Sequence, residues 1–187
     1  MMSTVKKLYY LSVEEYLKEE QRSEARHEYV NGLIYVRVGG TARHNFIAST
    51  VTSTLKRHLK SKSCHVFMSD MKVRVNDVFY YPDVMVVCGS IDMTSLYQND
   101  PALIVEVLSV STEAKDRLEK LAAYQSLPSV QEYVLLAQDK VSAEIYRRDN
   151  NEWNIESLSY GDTIELTAVG YTGPLETFYE EVIGVSE

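Results

Sequence analysis

The sequence predicts a mixed α/β (α+β) domain: a mixed sheet with helices packed against it and β-hairpins at its margins. Three observations lead there. Pro101 to Ser109 is apolar apart from Glu106, the composition of a strand buried on both faces. Helical periodicity alternates with short apolar runs along the chain. Asn31-Gly32 and Asp149-Asn-Asn-Glu152 each separate two apolar runs, as hairpin turns do. With 187 residues the chain is long enough for one substantial core, and it is treated as a single domain over 1–187.

Each element has its own signal. Ser12-Val-Glu-Glu15 has capping-box spacing, which predicts a first helix over Val13 to Glu20. Glu28 to Val38 reads as a hairpin turning at Asn31-Gly32, because both turn residues tolerate positive φ. Thr41 or a neighbour caps a longer helix, Arg43 to Lys60. Its residues Ile47, Val51, Leu55 and Leu59 fall on one stripe and leave Lys56, Arg57 and Lys60 off it. Strands follow at Cys64–Ser69, Met71–Val75 and Val78–Val87, with a turn at Asn76-Asp77. Ser109, Ser111 and Thr112 offer N-caps for a helix over Glu113 to Leu127, which Pro128 closes. On that helix Ala114, Leu118, Leu121 and Ala122 form the expected apolar side. Gln131–Ala137 is a further strand, Val141–Arg148 and Trp153–Leu158 a hairpin, and Thr163–Leu166 a last strand before a break at Gly173-Pro174.

Composition narrows the function. The N-terminal residues lack the apolar core of a signal peptide, and no apolar run reaches the length of a membrane span, so a cytoplasmic protein without membrane contact is expected. Cys64 and Cys88 have no paired spacing and are expected as reduced thiols, neither zinc ligands nor a disulfide. His27, His58 and His65 show no metal-ligand spacing. Net charge is −8, unfavourable for nucleic acid, but Arg43 to Arg74 carries seven Lys/Arg against the single acid Asp70. That segment is compatible with phosphate binding, or with simple solvation of an exposed helix.

The chemistry is expected around Glu106. A carboxylate inside a central strand needs a cation, hydrogen bonds or a metal. Asp83 begins the strand after Tyr81-Pro82, and if that strand neighbours the one carrying Glu106, the two carboxylates converge. Asp116 and Lys120 stand one helical turn apart on the following helix, with Lys120 able to reach the strand edge. Two carboxylates and a lysine suit Mg²⁺ (Mn²⁺ is a possible substitute), which takes one or two protein carboxylates and keeps several waters. Such a site hydrolyses phosphodiesters.

Pro82-Asp83, Glu106 in an apolar strand and a helical lysine together resemble the PD-(D/E)XK nuclease superfamily. Its usual lysine two residues after the acid is Leu108 here. A closer resemblance is to the Uma-type restriction endonuclease family of bacteria, in which the lysine lies on the next helix. The similar residues are Ser12-Val-Glu-Glu-Tyr16, Glu28-Tyr-Val-Asn-Gly32, His44, Tyr81-Pro-Asp-Val84, Ile104-Val-Glu-Val-Leu-Ser109, Ser111-Thr112, Asp116-Arg-Leu-Glu-Lys120, Tyr124 and Glu132-Tyr133. Val110 departs from the proline expected there.

The resemblance implies a restriction-endonuclease-like core and a metal-dependent DNA endonuclease with Asp83, Glu106 and Lys120 as catalytic residues. Asp83 and Glu106 are then metal ligands, and Glu28 resembles an additional acid that many such nucleases contribute. His44, Arg43 and Lys56 are the candidate substrate contacts on the basic helix. A homodimer is natural, since a duplex has two strands to cut. One alternative is a catalytically inactive interaction or nucleic-acid-binding module, in which the acids are salt-bridged. Another, a phosphodiesterase acting on small nucleotides, lacks a phosphate-cradling Gly-rich loop.

Overall fold

A computed structural model describes residues 10–37, 39–109, 112–150 and 152–184. The expected strand end at Val38, the cap candidate Ser111 and the departure at Val110 lie outside these residues.

The N-terminal helix α1 is Val13–Glu20, with Ser12 and Glu15 closing the capping box. Strands β1 (His27–Val30) and β2 (Leu33–Val36) pair across the Asn31-Gly32 turn, where φ is 49° and 90°. Helix α2 is Ala42–His58, and the Thr41 hydroxyl accepts from the His44 amide at 3.1 Å. Then come β3 (Cys64–Met68), β4 (Lys72–Val75), β5 (Val78–Tyr80), β6 (Val84–Cys88), β7 (Tyr97–Gln98) and β8 (Pro101–Leu108). The helix after β8, here α3, has three consecutive parts: α-helical at Glu113–Lys115, π-helical at Asp116–Lys120 and α-helical at Leu121–Gln125. The chain continues through β9 (Glu132–Ala137), β10 (Ser142–Asp149), β11 (Glu152–Ser159), β12 (Thr163–Leu166) and β13 (Tyr171–Pro174) to a 3₁₀ turn at Leu175–Tyr179.

A six-stranded sheet in the order β11-β10-β9-β8-β6-β3 forms the centre, with β8 antiparallel to β6 and parallel to β9. A five-stranded sheet, β2-β1-β5-β4-β7, packs on one face, and β12-β13 is a separate pair. Alternation along β6, β8 and β9 divides the core in two. Val84, Val86, Leu103, Val105, Val107 and Val134 face α2, whose Ile47, Val51 and Leu55 are fully buried. Burying each of those three side chains contributes about 1.5–3 kcal/mol. Met85, Ile104, Leu108 and Leu135 face the other way, toward Val73, Val75 and Tyr80 of the second sheet and Tyr124 of α3. The stripe expected on α2 is the one observed, with Lys56, Arg57 and Lys60 exposed.

Four expectations change. The run Val78–Val87 is two strands in different sheets, β5 and β6, interrupted at Tyr81-Pro82-Asp83. Proline has no amide hydrogen for a ladder, and the chain passes between sheets there. On α3 the buried residues are Asp116, Lys120 and Tyr124, while Leu118 is 72% exposed. The polar side, not the apolar one, faces the sheet, because the sheet presents Glu106 to it. Gly173-Pro174 ends a strand, β13, on the edge opposite no further partner than β12, where a missing amide is tolerated.

The fourth correction is chemical: Cys64 and Cys88 form a disulfide. They occupy directly opposed positions of the antiparallel β3/β6 ladder. Spacing along the chain does not reveal such a partnership; only the strand register does.

Candidate active site

The break between β5 and β6 places Asp83 at the mouth of β6, beside Glu106 in the middle of β8. The two residues are interlocked through the backbone. The Asp83 amide donates to Glu106 Oε2 at 3.2 Å, and the Val107 amide donates to Asp83 Oδ2 at 2.9 Å. The convergence expected from strand neighbourhood therefore holds. Both side chains are buried, at 3% and 2% exposure.

Lys120 closes the third side. Its ammonium lies 2.9 Å from Glu106 Oε1, 3.0 Å from Asp116 Oδ1 and 3.5 Å from Glu28 Oε1. One buried cation is thus shared among three carboxylates. The π-helical segment shapes this arrangement: the Leu121 amide reaches back to the Asp116 carbonyl, which also accepts from the Tyr133 hydroxyl at 3.2 Å. Such wide turns within helices frequently occur at functional sites. The Tyr124 hydroxyl adds a donor to Glu106 Oε1 at 3.2 Å.

Glu28, at the buried face of β1, accepts from Lys115 Nζ at 2.6 Å and from the Tyr81 amide at 3.4 Å. Lys115 also lies over the rings of Tyr35 and Tyr80. The structure brings Glu28 to the same lysine as Glu106, although its oxygens are turned to Lys115 and Lys120.

Asp83 has two cations of its own. Arg37 Nη2 donates to Oδ1 at 2.5 Å, and His44 Nε2 is 3.2 Å from the same oxygen. His44 reaches it because Gly40 has no side chain; a Cβ there would lie 2.7 Å from the imidazole. The His44 seat is therefore on a carboxylate, not on open helix surface. Arg43 is half-buried at the same end of α2. Lys56 is exposed twelve residues beyond His44 along the helix, about 18 Å at the usual rise, and is not brought to Asp83.

The electrostatics separate the two central acids. Burial pushes the Glu106 carboxyl up to about 8; Lys120 opposes this, while Asp83 and Asp116 reinforce it. Burial also acts on Asp83, but His44 and Arg37 outweigh it and hold that carboxyl below its usual range. Glu28 is likewise held low, Lys120 and Lys115 overcoming its burial. Lys120 is held well above the usual lysine value by Glu106, Glu28 and Asp116 against the effect of burial. Four carboxylates here face three permanent cations and one imidazole.

Sequence reasoning did not find Arg37 or Lys115. Arg37 ends an apolar strand just before Gly39-Gly40, and that position beside a chain break was the available signal. Lys115 had none stronger than its place one turn before Glu119.

The architecture is a restriction-endonuclease-like fold. It is similar to the crystal structure of a "putative nuclease belonging to DUF820" from Anabaena variabilis ATCC 29413, with a TM-score of 0.75 and 18% identity, covering 91% of this chain and 98% of that one. Two uncharacterized proteins of Synechocystis sp. (strain ATCC 27184 / PCC 6803 / Kazusa) are similar in sequence. The protein slr1290 is 35% identical over 173 residues, 90% of this chain and 91% of the relative. The protein sll1609 is 29% identical over 162 residues, 83% of this chain and 91% of the relative. The chain belongs to the Uma2 family, described as "Putative restriction endonuclease", whose model matches residues 13–175. The resemblance drawn from the sequence motifs is therefore borne out.

Proposed function

We propose that this protein is a divalent-metal-dependent endonuclease that hydrolyses DNA phosphodiester bonds at the Asp83–Glu106–Lys120 site. The observation that carries the proposal is the backbone interlock of two buried carboxylates beside a buried lysine. Family membership and the nuclease name of the structural neighbour support it.

The donor chemistry fits a hard cation such as Mg²⁺ or Mn²⁺. Asp83 and Glu106 offer carboxylate oxygens from adjacent positions, and the excess of acids at Glu106 is what a dication would relieve. Among the described residues no three His, Cys, Asp or Glu side chains converge as a metal-holding group. Asp83 and Glu106 are thus the proposed ligands, with Glu28 a third whose oxygens would first have to leave their lysines. A bound dication supplies Lewis-acid stabilisation and a more acidic water. The chain does the rest. Lys120, fixed by three carboxylates, holds positive charge where the attacked phosphoryl group accumulates negative charge. Tyr124 keeps Glu106 Oε1 oriented, and the Val107 amide does the same for Asp83. His44 and Arg43, at the start of α2, are the proposed contacts to the substrate backbone; Lys56 would touch only a longer duplex.

We further propose a homodimer, one site for each strand of the duplex, acting in the cytoplasm. No helix among the described residues is long and apolar enough to cross a membrane. The Cys64–Cys88 disulfide is the one observation that speaks against that compartment, because reducing conditions disfavour disulfides. Thiol titration of protein prepared from cells under acid quench reads this directly, and light scattering reads the dimer.

One observation favours a second reading. Each acid of the site already has a cation partner, as an inactive interaction module would have. Calorimetric titration with Mg²⁺ or Mn²⁺ separates the two, with plasmid cleavage run on the same samples. The nuclease reading expects binding and nicking in the wild type and loss of both in Asp83→Ala. A wild type that binds neither metal and leaves plasmid intact establishes the module.

A further inference from the structure

Every acid of the site has a cation, but the cations are held very differently. Lys120 is 7% exposed, stands on α3 and is gripped by three carboxylates. Lys115 is tied to Glu28 and lies over two tyrosine rings. Arg37 is anchored at its main chain, where its amide donates to the Arg26 carbonyl at 2.7 Å, and its side chain reaches out from there. It lies just past the end of β2, its side chain is 25% exposed, and besides Asp83 its guanidinium donates to the Ser69 carbonyl at 3.0 Å. Ser69 itself is a loop residue with positive φ. Arg37 is followed closely by Gly39 and Gly40, and a Cβ at Gly39 would meet nothing within 4 Å. His44, the other group on Asp83 Oδ1, rests in the space that Gly40 leaves free.

Asp83 Oδ2 is engaged by a main-chain amide and Oδ1 by Arg37 and His44. A carboxylate oxygen accepts two bonds, so Oδ1 is full while Oδ2 has one place left. A cation that draws on both oxygens displaces a donor from Oδ1, and Arg37, 25% exposed against 16% for His44, is the one nearer solvent. We infer that Arg37 is an exchangeable latch: its guanidinium occupies Asp83 in the metal-free protein, yields that place when a divalent cation binds, and then faces the substrate's phosphates. The inference rests on the metal-dependent reading above and adds to it a residue and a coupling.

The charge balance explains why the exchange would serve the reaction. While Arg37 sits on Asp83, its positive charge is spent on a buried acid. A dication takes over the neutralisation of Asp83 and Glu106, and the released guanidinium becomes a new cation at the entrance. Arg suits that second role because its planar fork binds phosphate oxygens in pairs. Metal and DNA then favour each other's binding, and by linkage the factor is the same in both directions.

The test compares wild type, Arg37→Gln and Arg37→Lys. Mn²⁺ affinity is measured by calorimetry, and fluorescence anisotropy of a labelled duplex is read with and without Ca²⁺, a second oxygen-seeking cation. Circular dichroism melts check that each variant is folded. The latch predicts that Arg37→Gln binds Mn²⁺ about tenfold more tightly than wild type, since its competitor is gone. The same variant should bind the duplex at least fivefold more weakly in Ca²⁺, and Arg37→Lys should fall between on both measures. Equal or weaker Mn²⁺ binding by a folded Arg37→Gln variant overturns the latch and leaves the nuclease reading standing. If neither wild type nor variant binds Mn²⁺ at all, the metal-dependent reading fails, and the latch with it.

Discussion

Glu106 and Glu132 are buried carboxylates on neighbouring parallel strands, β8 and β9, and they meet opposite surroundings. Glu132 is surrounded by donors. Its Oε1 accepts from Arg147 Nε at 2.8 Å and from the amide and hydroxyl of Thr167 at 3.1 and 2.9 Å; its Oε2 accepts from the Ala168 amide at 2.9 Å. Arg147 also pairs with the exposed Glu156 and ties down the Glu165 carbonyl. Glu132 fastens the turn after β12 to the central sheet. Glu106 also has its donors, but Asp83 and Asp116 press on it and it shares its one cation with two further acids. The buried charge of Glu132 is met by neutral donors and by a cation whose other acid, Glu156, is exposed. Glu106, proposed above as a metal ligand, stands where acids outnumber cations and a further cation would be welcome.

The same substitution at both positions tests this contrast. In Glu106→Gln and Glu132→Gln alike, an amide nitrogen replaces an oxygen that accepted from a backbone amide, so that loss largely cancels. What differs is charge and chemistry. The largest expected effect is on cleavage, where Glu106→Gln loses at least a hundredfold in plasmid nicking rate and Glu132→Gln, if folded, loses little. Stability is expected to move the other way. Glu132→Gln deprives Arg147 of its buried partner and should lower the unfolding free energy by about 2–4 kcal/mol, toward the lower end of broken buried pairs because Arg147 is partly exposed. Glu106→Gln leaves Lys120 with Asp116 and Glu28 and resembles the neutral carboxyl that prevails below about pH 8, so its loss should be about 1 kcal/mol or less. Urea denaturation of both variants gives the two numbers on one scale. Equal losses would mean that the acids around Glu106 are as well compensated as those around Glu132.

Much of this site was legible in the chain, for reasons the two glutamates also illustrate. Glu106 declared itself because it interrupts an otherwise apolar run, and a buried charge there demands a partner. Asp83 followed from a proline at the entrance of a second apolar strand, and Lys120 from its helical spacing to Asp116. The helix caps and the Asn31-Gly32 hairpin rest on local rules and were equally readable. What escaped depends on register and on contacts between distant segments. Cys64 and Cys88 are 24 residues apart and meet only because β3 and β6 pair in one particular alignment. Arg37 is 46 residues from Asp83, and Glu132 lies 35 residues from Thr167. The role of Glu132 in the motif Glu132-Tyr133 could not be read, since nothing near it in sequence shows what it binds. The break of Val78–Val87 was visible as Pro82, yet its consequence, a change of sheet, is a property of the whole fold.

The smallest expected effect sharpens the contrast further, through pH. In the unfolded chain Glu106 loses its proton near the ordinary value of 4.5; in the folded protein burial and neighbouring acids hold it until about pH 8. Between these limits the folded state binds more protons than the unfolded one, so stability falls as pH rises across that window. Asp83 works with the opposite sign: held below 3.8, its contribution is present above that value and is lost in stronger acid. Thermal melts of the metal-free protein from pH 5 to 9 should therefore show a declining melting temperature. Glu106→Gln, which cannot titrate, should flatten the decline. Adding Mn²⁺ should restore more stability to wild type at pH 8 than at pH 5, because only the ionised carboxylate is a good ligand. A decline that persists unchanged in Glu106→Gln would assign the window to another group and would remove the electrostatic distinction between the two glutamates.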